Sequence, residues 1–548
     1  MTIDTNNRHE QLCRLGKAGA ELAAGSWLQG FGHIHKDGPA RAVVDRSQVR
    51  AQLDRRLFGG FLEHLGRAVY EGVYQPGSPL ADDDGFRTDL LEQVKQMALP
   101  IVRYPGGNFV SGYNWLDGVG PRSERPTVHE KAWNSTETNQ FGTNEFVDWC
   151  SRIGAEPMLV FNLGTNTPEM AVAYVEYCNR QRGSQWSDLR RAHGAAQPHG
   201  VQYWCLGNEL DGPWQMGHMT ALEYGQKARR TAQLVHGEDP ALKLIAAGSS
   251  NTELPTYLDW DREVLEQCYE QVDAISLHNY YGNSTELSGG NSSRYLAMNL
   301  DMERQIQEIA AVGDYVQNEL GSPKKLWLAF DEWNIWYRAR SKAHMDGKRQ
   351  IAPRLLEEEY NLEDALLVGG IVNTLLRRSD RVRVGCLAQI VNVIAPLVTS
   401  DEGLLRQSIY YPYAWALEHA RGRVLDTQLA CESYGIEAAG LRPDFARDDR
   451  VPFLDVAVTL DEENGQACVF ALNRDLEGER ELVIDWRDPA PKRVLLCETL
   501  TGPDLKAANT FAEPGKVIPQ TMDAPKPGPT MSVKLPPASY TVLKFDIT

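Results

Sequence analysis

The sequence predicts a (β/α)8 barrel, the TIM-barrel architecture of the α/β class, followed by a C-terminal β-sandwich of jelly-roll type. Three observations carry that expectation. From about residue 55 to 400, short apolar runs alternate with longer amphipathic stretches, the pattern of parallel strands joined by helices. Eight such runs can be counted, and several stop at polar side chains, as strands do at the C-terminal mouth of a barrel. Beyond about residue 423 the helical period fades, and strand-like runs separated by turn-rich segments take over.

The elements follow in order. Residues 1–40 read as an extension of unknown role. Acids and amides follow Met1, and the Leu22-Ala23-Ala24-Gly25 stretch is too short for a secretory core. Within 41–54, Arg41–Val49 reads as a strand that joins the sandwich. The barrel is placed at 55–422. Its strand candidates are Leu57–Leu62, Pro100–Tyr104, Pro157–Leu163, Val201–Leu206, Leu242–Ala247, Val272–Leu277, Leu326–Phe330 and Val382–Val391. Helices are expected at Arg87–Met97, Pro168–Asn179, Thr220–Val235, Arg294–Gln317 and Leu362–Arg378. In the last of these, Leu362, Ala365, Leu366, Gly369 and Val372 recur near the helical period. A doubly wound open sheet is the alternative, but no Gly-rich nucleotide turn follows Leu57–Leu62. The sandwich is placed at 423–548, with strands Phe453–Leu460, Ala467–Leu472, Glu481–Trp486, Arg493–Thr499 and Ser539–Phe545. Turn-rich stretches such as Asp461–Gly465 and Pro525–Pro529 separate them. No exposed aromatic platform is evident in it, so packing or assembly is its expected role.

Composition narrows the function. A chain of 548 residues can bury a large core and carry a second module. Its formal charge of −18 disfavours nucleic acid and anionic membrane as partners. No run approaches the length of a transmembrane helix. The nine cysteines are scattered, odd in number and without a CxxC pair, which fits small core residues in a reducing compartment. A cytoplasmic protein acting on imported, neutral substrates is expected. His33-Ile34-His35 has no further ligand at metal-binding spacing and reads as a surface loop.

Two glutamates stand out. Trp204-Cys205-Leu206-Gly207-Asn208-Glu209 and Leu326–Trp333 are apolar strands interrupted by Glu209, after the fourth candidate, and Glu332, after the seventh. Two carboxylates delivered by two strands are what cleavage of a glycosidic bond needs, one as proton donor and one as partner. The neighbours fit structural roles better. Strand alternation would point Asp331 to the opposite face, and Asp211 sits beside a Gly212-Pro213 turn. Other strand ends add Glu63-His64, Arg103 with Asn108, His278-Asn279-Tyr280, and Gln389 with Asn392, which together imply one polar pocket.

These residues lie in segments that resemble the α-L-arabinofuranosidases of glycoside hydrolase family 51. The segments are FGGFLEHLGRAVYEGVY (58–74), IVRYPGGNFVSGYNWLDGVGPR (101–122), YWCLGNELDGPWQMGH (203–218), ISLHNYYGN (275–283), AFDEWNIWY (329–337) and CLAQIVNVIAPL (386–397). They span the barrel in family order, whereas the sandwich matches more loosely. The resemblance implies that Glu209 is the general acid/base and Glu332 the nucleophile. It implies that Glu63, Asn108, Asn208, Tyr280 and Gln389 hold the arabinofuranose hydroxyls, and that Arg103 and His278 support the carboxylates. Trp133 and Trp336 would shape the pocket and its entrance. Asn279 departs from the pattern, where relatives often have Gln, and is expected to tune the pocket floor.

The chemistry so implied is a retaining double displacement that removes terminal, non-reducing arabinofuranosyl residues from arabinan- or arabinoxylan-derived oligosaccharides, for L-arabinose catabolism, without metal or organic cofactor. Glu332 must be ionised when it attacks C1, with Arg103 as its cationic neighbour. A homo-oligomer, commonly a hexamer, is implied as well. A β-D-xylosidase or endo-β-glucanase on the same barrel remains open, since a furanose and a pyranose differ mainly in pocket shape. A carbohydrate-binding protein that had lost catalysis would be expected to lack one of the glutamates.

Overall fold

The computed structural model describes residues 38–436, 451–488 and 490–548. Cys13, His33, His35 and nearly all of the expected 1–40 extension lie outside the described residues. All eight expected barrel strands form, as β1 (Gly59–Phe61), β2 (Ile101–Tyr104), β3 (Glu156–Val160), β4 (Tyr203–Leu206), β5 (Lys243–Ala246), β6 (Ala274–Tyr281), β7 (Trp327–Ile335) and β8 (Val382–Ala388). They hydrogen-bond in parallel and close into a barrel, with β8 against β1 and β5 against β6. Small and branched side chains fill the interior, among them Ile101, Val160, Cys205, Ile245, Ala329 and Cys386. The eight cysteines among the described residues are buried and unpaired, as small core residues should be. No helix among the described residues is long and apolar enough to cross a membrane.

Helices Thr88–Met97, Pro168–Asn179, Ala221–Glu238 and Leu362–Arg377 form where the period places them. Local chemistry sets their starts. Thr167 accepts from Met170 N ahead of Pro168, and Thr220 and Asn361 form capping boxes with Glu223 and Asp364. The helix expected at Arg294–Gln317 is instead two, Ser292–Tyr295 and Asn299–Leu320. The break has a tertiary cause, because Leu296 O accepts from Arg474 Nε of the sandwich (2.9 Å).

The C-terminal strands build two facing sheets around a separate apolar core that includes Leu454, Val469, Leu482, Ile484, Val533 and Phe545. The larger sheet runs Val49–Gln52, Arg423–Leu425, Leu454–Asp461, Gln466–Asn473, Ser539–Asp546, Arg493–Leu500 and Gln520–Thr521. The smaller runs Gln428–Ala430, Ala40–Val44, Arg480–Trp486 and Thr530–Leu535. The stretch ahead of the barrel thus gives one strand to each sheet rather than a single strand. Thr530–Leu535 was not expected, although its strict inward and outward alternation suits a half-buried strand.

The sandwich is fastened to the barrel through the helix Leu362–Arg377. Gly369 leaves room for the ring of Tyr540, where a Cβ would stand 2.5 Å from it. Asp455 lies fully buried between Arg377 and Arg474. It accepts from Arg474 Nη2 (2.6 Å), Asn299 Nδ2 (2.9 Å) and Asn373 Nδ2 (3.2 Å), and bonds Arg377 Nη1 as well.

Candidate active site

The C-terminal ends of the barrel strands surround a cavity of about 690 Å3. Glu63, Asn108, Trp133, Glu209, Tyr280, Glu332, Trp336 and Gln389, all singled out by the sequence, line it, as does Asn279. Arg103, Asn208 and His278 are buried beneath that lining.

Glu209 follows β4 on a sharp turn. Gly207 has φ 95° and Glu209 itself φ 46°, a left-handed conformation that an L-residue holds only when its surroundings impose it. The turn swings the carboxylate over the mouth, where Oε2 accepts from Trp214 Nε1 (2.9 Å) and Oε1 from His278 Nδ1 (3.0 Å). Glu332 faces it from β7. Its Oε2 accepts from Arg103 Nη1 (2.8 Å) and its Oε1 from the Tyr280 hydroxyl (2.8 Å). A carboxylate oxygen of Glu209 and one of Glu332 lie within 4.8 Å of each other. The two acids are 8% and 7% exposed, buried yet open to the cavity.

β7 corrects two expectations. It does not stop at Glu332 but runs on to Ile335, because β6 pairs with it as far as Tyr281. Asp331 does not turn away from the site either. Register shifts on both sides of β7, where it meets β6 and β8, break the simple alternation. Asp331 Oδ2 therefore lies 3.0 Å from Arg103 Nε, so one guanidinium bridges both carboxylates. Asp331 Oδ1 is 3.3 Å from His278 Nε2, an ion pair outside hydrogen-bond geometry.

The buried charges hold one another in place. Burial works against a charge on His278, but Glu332, Asp331 and Glu209 outweigh it and raise His278 to about 10, so it is an imidazolium at neutral pH. Burial likewise opposes the charge on Arg103, and Asp331 with Glu332 holds it well above its ordinary value. Asp331, despite its burial, is kept below the usual carboxylate range by Arg103 and His278. Glu209, His278 and Glu332 are close enough to share a cation. An imidazolium, however, has no lone pair for a metal, and Arg103 already occupies the other side of Glu332.

Glu63 behaves differently. Burial first, then the charge of Glu332, pushes it up to about 8, against bonds from Phe109 N (2.9 Å) and Trp133 Nε1 (3.0 Å). Gly106 and Gly107 pack against its side chain, where a Cβ would stand 2.7 and 2.9 Å away. Gln389 Oε1 accepts from Glu63 N (2.9 Å), and Tyr280 meets Trp336 edge to face at 5.4 Å. Asn208 Oδ1 accepts from Arg103 Nη2 (2.5 Å), whereas its Nδ2 has no partner among the described residues. Asn279 directs its amide to Gln305 (2.9 Å) on the helix behind β6.

Two contributors escaped the sequence reading. Trp214, in the Gly212-Pro213-Trp214 segment, bonds Glu209 directly; an aromatic five residues past the acid was the available signal. Asp331 had none, because its orientation depends on the bulge. Asp211 keeps the structural role expected of it, accepting from Ser250 N (2.9 Å) and Oγ (3.1 Å).

Comparison with known proteins agrees with this geometry. Residues 93–299 match the α-L-arabinofuranosidase 1 domain, and residues 331–539 match the α-L-arabinofuranosidase C-terminal domain. An intracellular exo-α-(1→5)-L-arabinofuranosidase of Halalkalibacterium halodurans is 46% identical over 475 residues, covering 86% of this chain and 92% of that protein. The chain belongs to the family 51 α-L-arabinofuranosidases. Another member, the exo-α-(1→6)-L-arabinofuranosidase of Bifidobacterium longum, is 40% identical over 93% of this chain and 99% of its own. Among solved structures, a family 51 α-L-arabinofuranosidase from Bifidobacterium longum superposes with a TM-score of 0.87 at 36% identity, covering 93% of this chain and all of that one. The arabinose complex of the Thermotoga maritima α-L-arabinofuranosidase gives 0.81 at 33% identity, covering 92% and 99%.

Proposed function

We propose that Glu332 is the nucleophile and Glu209 the general acid/base of an exo-acting α-L-arabinofuranosidase that works with retention. The separation of the two carboxylates, within 4.8 Å at their nearest ligand oxygens, carries this reading. Retaining glycosidases hold the two carboxyls roughly 5–5.5 Å apart, whereas inverting ones leave about 6.5–9.5 Å for a water.

In the first step an oxygen of Glu332 bonds to C1 of the arabinofuranosyl unit as the bond from C1 to the leaving oxygen breaks. Glu209 gives that oxygen its proton. In the second, Glu209 takes a proton from water, the hydroxyl bonds to C1, and the ester to Glu332 breaks, releasing arabinose. Arg103 and Tyr280 orient Glu332, while Trp214 and His278 orient Glu209. The free Nδ2 of Asn208, held by Arg103, is a donor for the hydroxyl next to C1. Glu63, Asn108 and Gln389 face the remaining hydroxyls, and Trp133, bonded to Glu63, closes one wall, which favours a terminal sugar.

The same reading divides the chain into an extension (1–40), a joining strand region (41–54), the barrel (55–422) and the sandwich (423–548). It makes the protein a cytoplasmic homo-oligomer, a hexamer by family resemblance, with neither nucleic acid nor membrane as partner. The intracellular names of several relatives support the location. Light scattering on the purified protein tests the assembly.

Release of 4-nitrophenol from its α-L-arabinofuranoside and its β-D-xylopyranoside, by wild type and Glu332→Ala, tests the activity. Fast release from the arabinofuranoside is expected in wild type and near silence in Glu332→Ala, with azide restoring turnover. Preference for the xyloside would overturn the substrate assignment.

A further inference from the structure

Glu209 lies between two cross-ties that join the end of β4 to the segment after β5. Ahead of it in the chain, the buried Tyr224 hydroxyl donates to Leu206 O (2.7 Å) and accepts from Ala247 N (2.6 Å). Beyond it, Asp211 Oδ2 accepts from Ser250 N (2.9 Å) and Ser250 Oγ (3.1 Å), and both residues of this second tie are buried. The segment that receives the ties is itself fixed. Gly248 N donates to Ser276 Oγ of β6 (3.1 Å), and the Asp261 carboxylate accepts from Ser249 N (2.9 Å) and Ser249 Oγ (2.5 Å).

Residues 207–210 therefore span two fixed points, and the left-handed Gly207 and Glu209 stand among them. A glutamate persists in that conformation only when its surroundings hold it there. Gly212 N donates to Glu209 O (2.9 Å) and Met219 N to Leu210 O (3.2 Å), bonds that shape the turn but come from the same loop and would travel with it. The Asp211 side chain instead anchors the turn to a neighbouring strand's loop. Ser250 lines the cavity together with Glu209 and Trp214, so a slip at this tie is felt where the proton is passed. Proton donation needs the acid within about 2.6–3.2 Å of the leaving oxygen, and a misplacement of about 1 Å costs on the order of 100-fold in rate.

We propose that Asp211 is a positioning residue for proton donation: by binding Ser250 it holds the strained turn that aims Glu209 at the leaving oxygen. The proposal rests on the assignment of Glu209 as general acid/base. The tie uses the lone pairs of one oxygen, which an asparagine in place of Asp211 also offers.

The test measures kcat/KM on 2,4-dinitrophenyl, 4-nitrophenyl and phenyl α-L-arabinofuranosides, whose leaving groups need proton donation increasingly in that order. Wild type, Asp211→Ala, Asp211→Asn, Ser250→Ala and Glu209→Ala are compared. Asp211→Ala should stay within about threefold of wild type on the dinitrophenyl glycoside and fall about 10- to 100-fold on the phenyl one. Ser250→Ala loses one of the two bonds and should follow the same trend at about two- to tenfold on the phenyl glycoside. Asp211→Asn should recover most of the loss. A residue needed only for stability would affect all three glycosides alike. Should Asp211→Ala fail to fold, Ser250→Ala carries the same comparison. Losses in the Asp211 and Ser250 variants that do not grow with leaving-group basicity, while those of Glu209→Ala do, overturn the proposal and leave the acid in place. An Asp211→Asn as impaired as Asp211→Ala overturns it too. A flat response in Glu209→Ala overturns the acid assignment and the proposal together.

Discussion

Asp455→Asn removes one charge from the joint between barrel and sandwich and keeps the side chain's shape. In the wild type this fully buried carboxylate meets Arg377 from one barrel helix, Arg474 from the sandwich and Asn299 from a second helix. Arg377 retains Glu303 at 2.8 Å, but Arg474 is left with carbonyl oxygens and an amide. Stranding a buried cation in this way costs about 3–5 kcal/mol. Unfolding entropy is roughly 2.1 cal/mol/K per residue, so Tm should drop by about 3–4 °C if the whole chain unfolds as one unit. If the sandwich, roughly 120 residues, unfolds by itself, the drop should be nearer 10–20 °C. Arg377 and Arg474 depress the Asp455 carboxyl well below the usual range, more than offsetting its burial. Its stabilising effect is therefore complete above the unfolded value of about 4 and is lost only as pH falls through the lower folded one. Differential scanning calorimetry of both proteins should show a constant gap in Tm from pH 8 to 5 that closes below about pH 4. A change of less than about 1 °C at pH 7 would refute the reasoning, and unchanged kcat/KM at 25 °C is expected because the cluster lies outside the cavity.

Other expectations concern the cavity. Glu209→Ala should lose little on aryl arabinofuranosides with good leaving groups and roughly 100- to 10,000-fold on oligosaccharides, the usual contribution of a proton donor; equal losses on both would remove it from that role. Glu63 titrates at about 8, so wild-type kcat/KM should fall on an alkaline limb near that pH as a second negative charge appears beside Glu332. Glu63→Gln, which mimics the protonated form, should abolish that limb in a pH–rate profile, and an unchanged limb would reassign it. Burial of Glu63 opposes its ionisation, so its contribution to stability is fully present below about pH 4.3 and is lost as pH rises towards 8. Trp214→Phe deletes a 2.9 Å bond to Glu209 and should cost about 1.5–3 kcal/mol of transition-state stabilisation, roughly 10- to 150-fold in kcat/KM. An effect on KM alone would limit Trp214 to substrate packing.

The barrel was legible because each of its strands is a short apolar run between amphipathic helices, and burial on both faces leaves that run little choice of residue. Glu209 and Glu332 were legible for the same reason, as charges that interrupt otherwise apolar runs. What escaped depends on contacts between distant segments. The helix break at 296–298 is caused by Arg474, which lies 178 residues from Leu296 in the chain. The inward turn of Asp331 comes from register shifts against β6 and β8, and no local pattern encodes them. Thr530–Leu535 does alternate as a strand should, but its proline-rich approach obscured it. Asn279 was expected on the pocket floor and does line the cavity, yet its amide is engaged by Gln305 from the helix behind it.

The central claim is that Glu332 forms a covalent bond to the sugar. Incubation with an activated 2-deoxy-2-fluoro-α-L-arabinofuranoside slows the second step more than the first, so the intermediate accumulates. Intact-protein and peptide mass spectrometry should then find one fluoroarabinosyl group per chain, on Glu332 and absent from Glu332→Ala. A label on Asp331 or Glu209, or turnover of natural substrate to inverted arabinose with no adduct, would contradict the account.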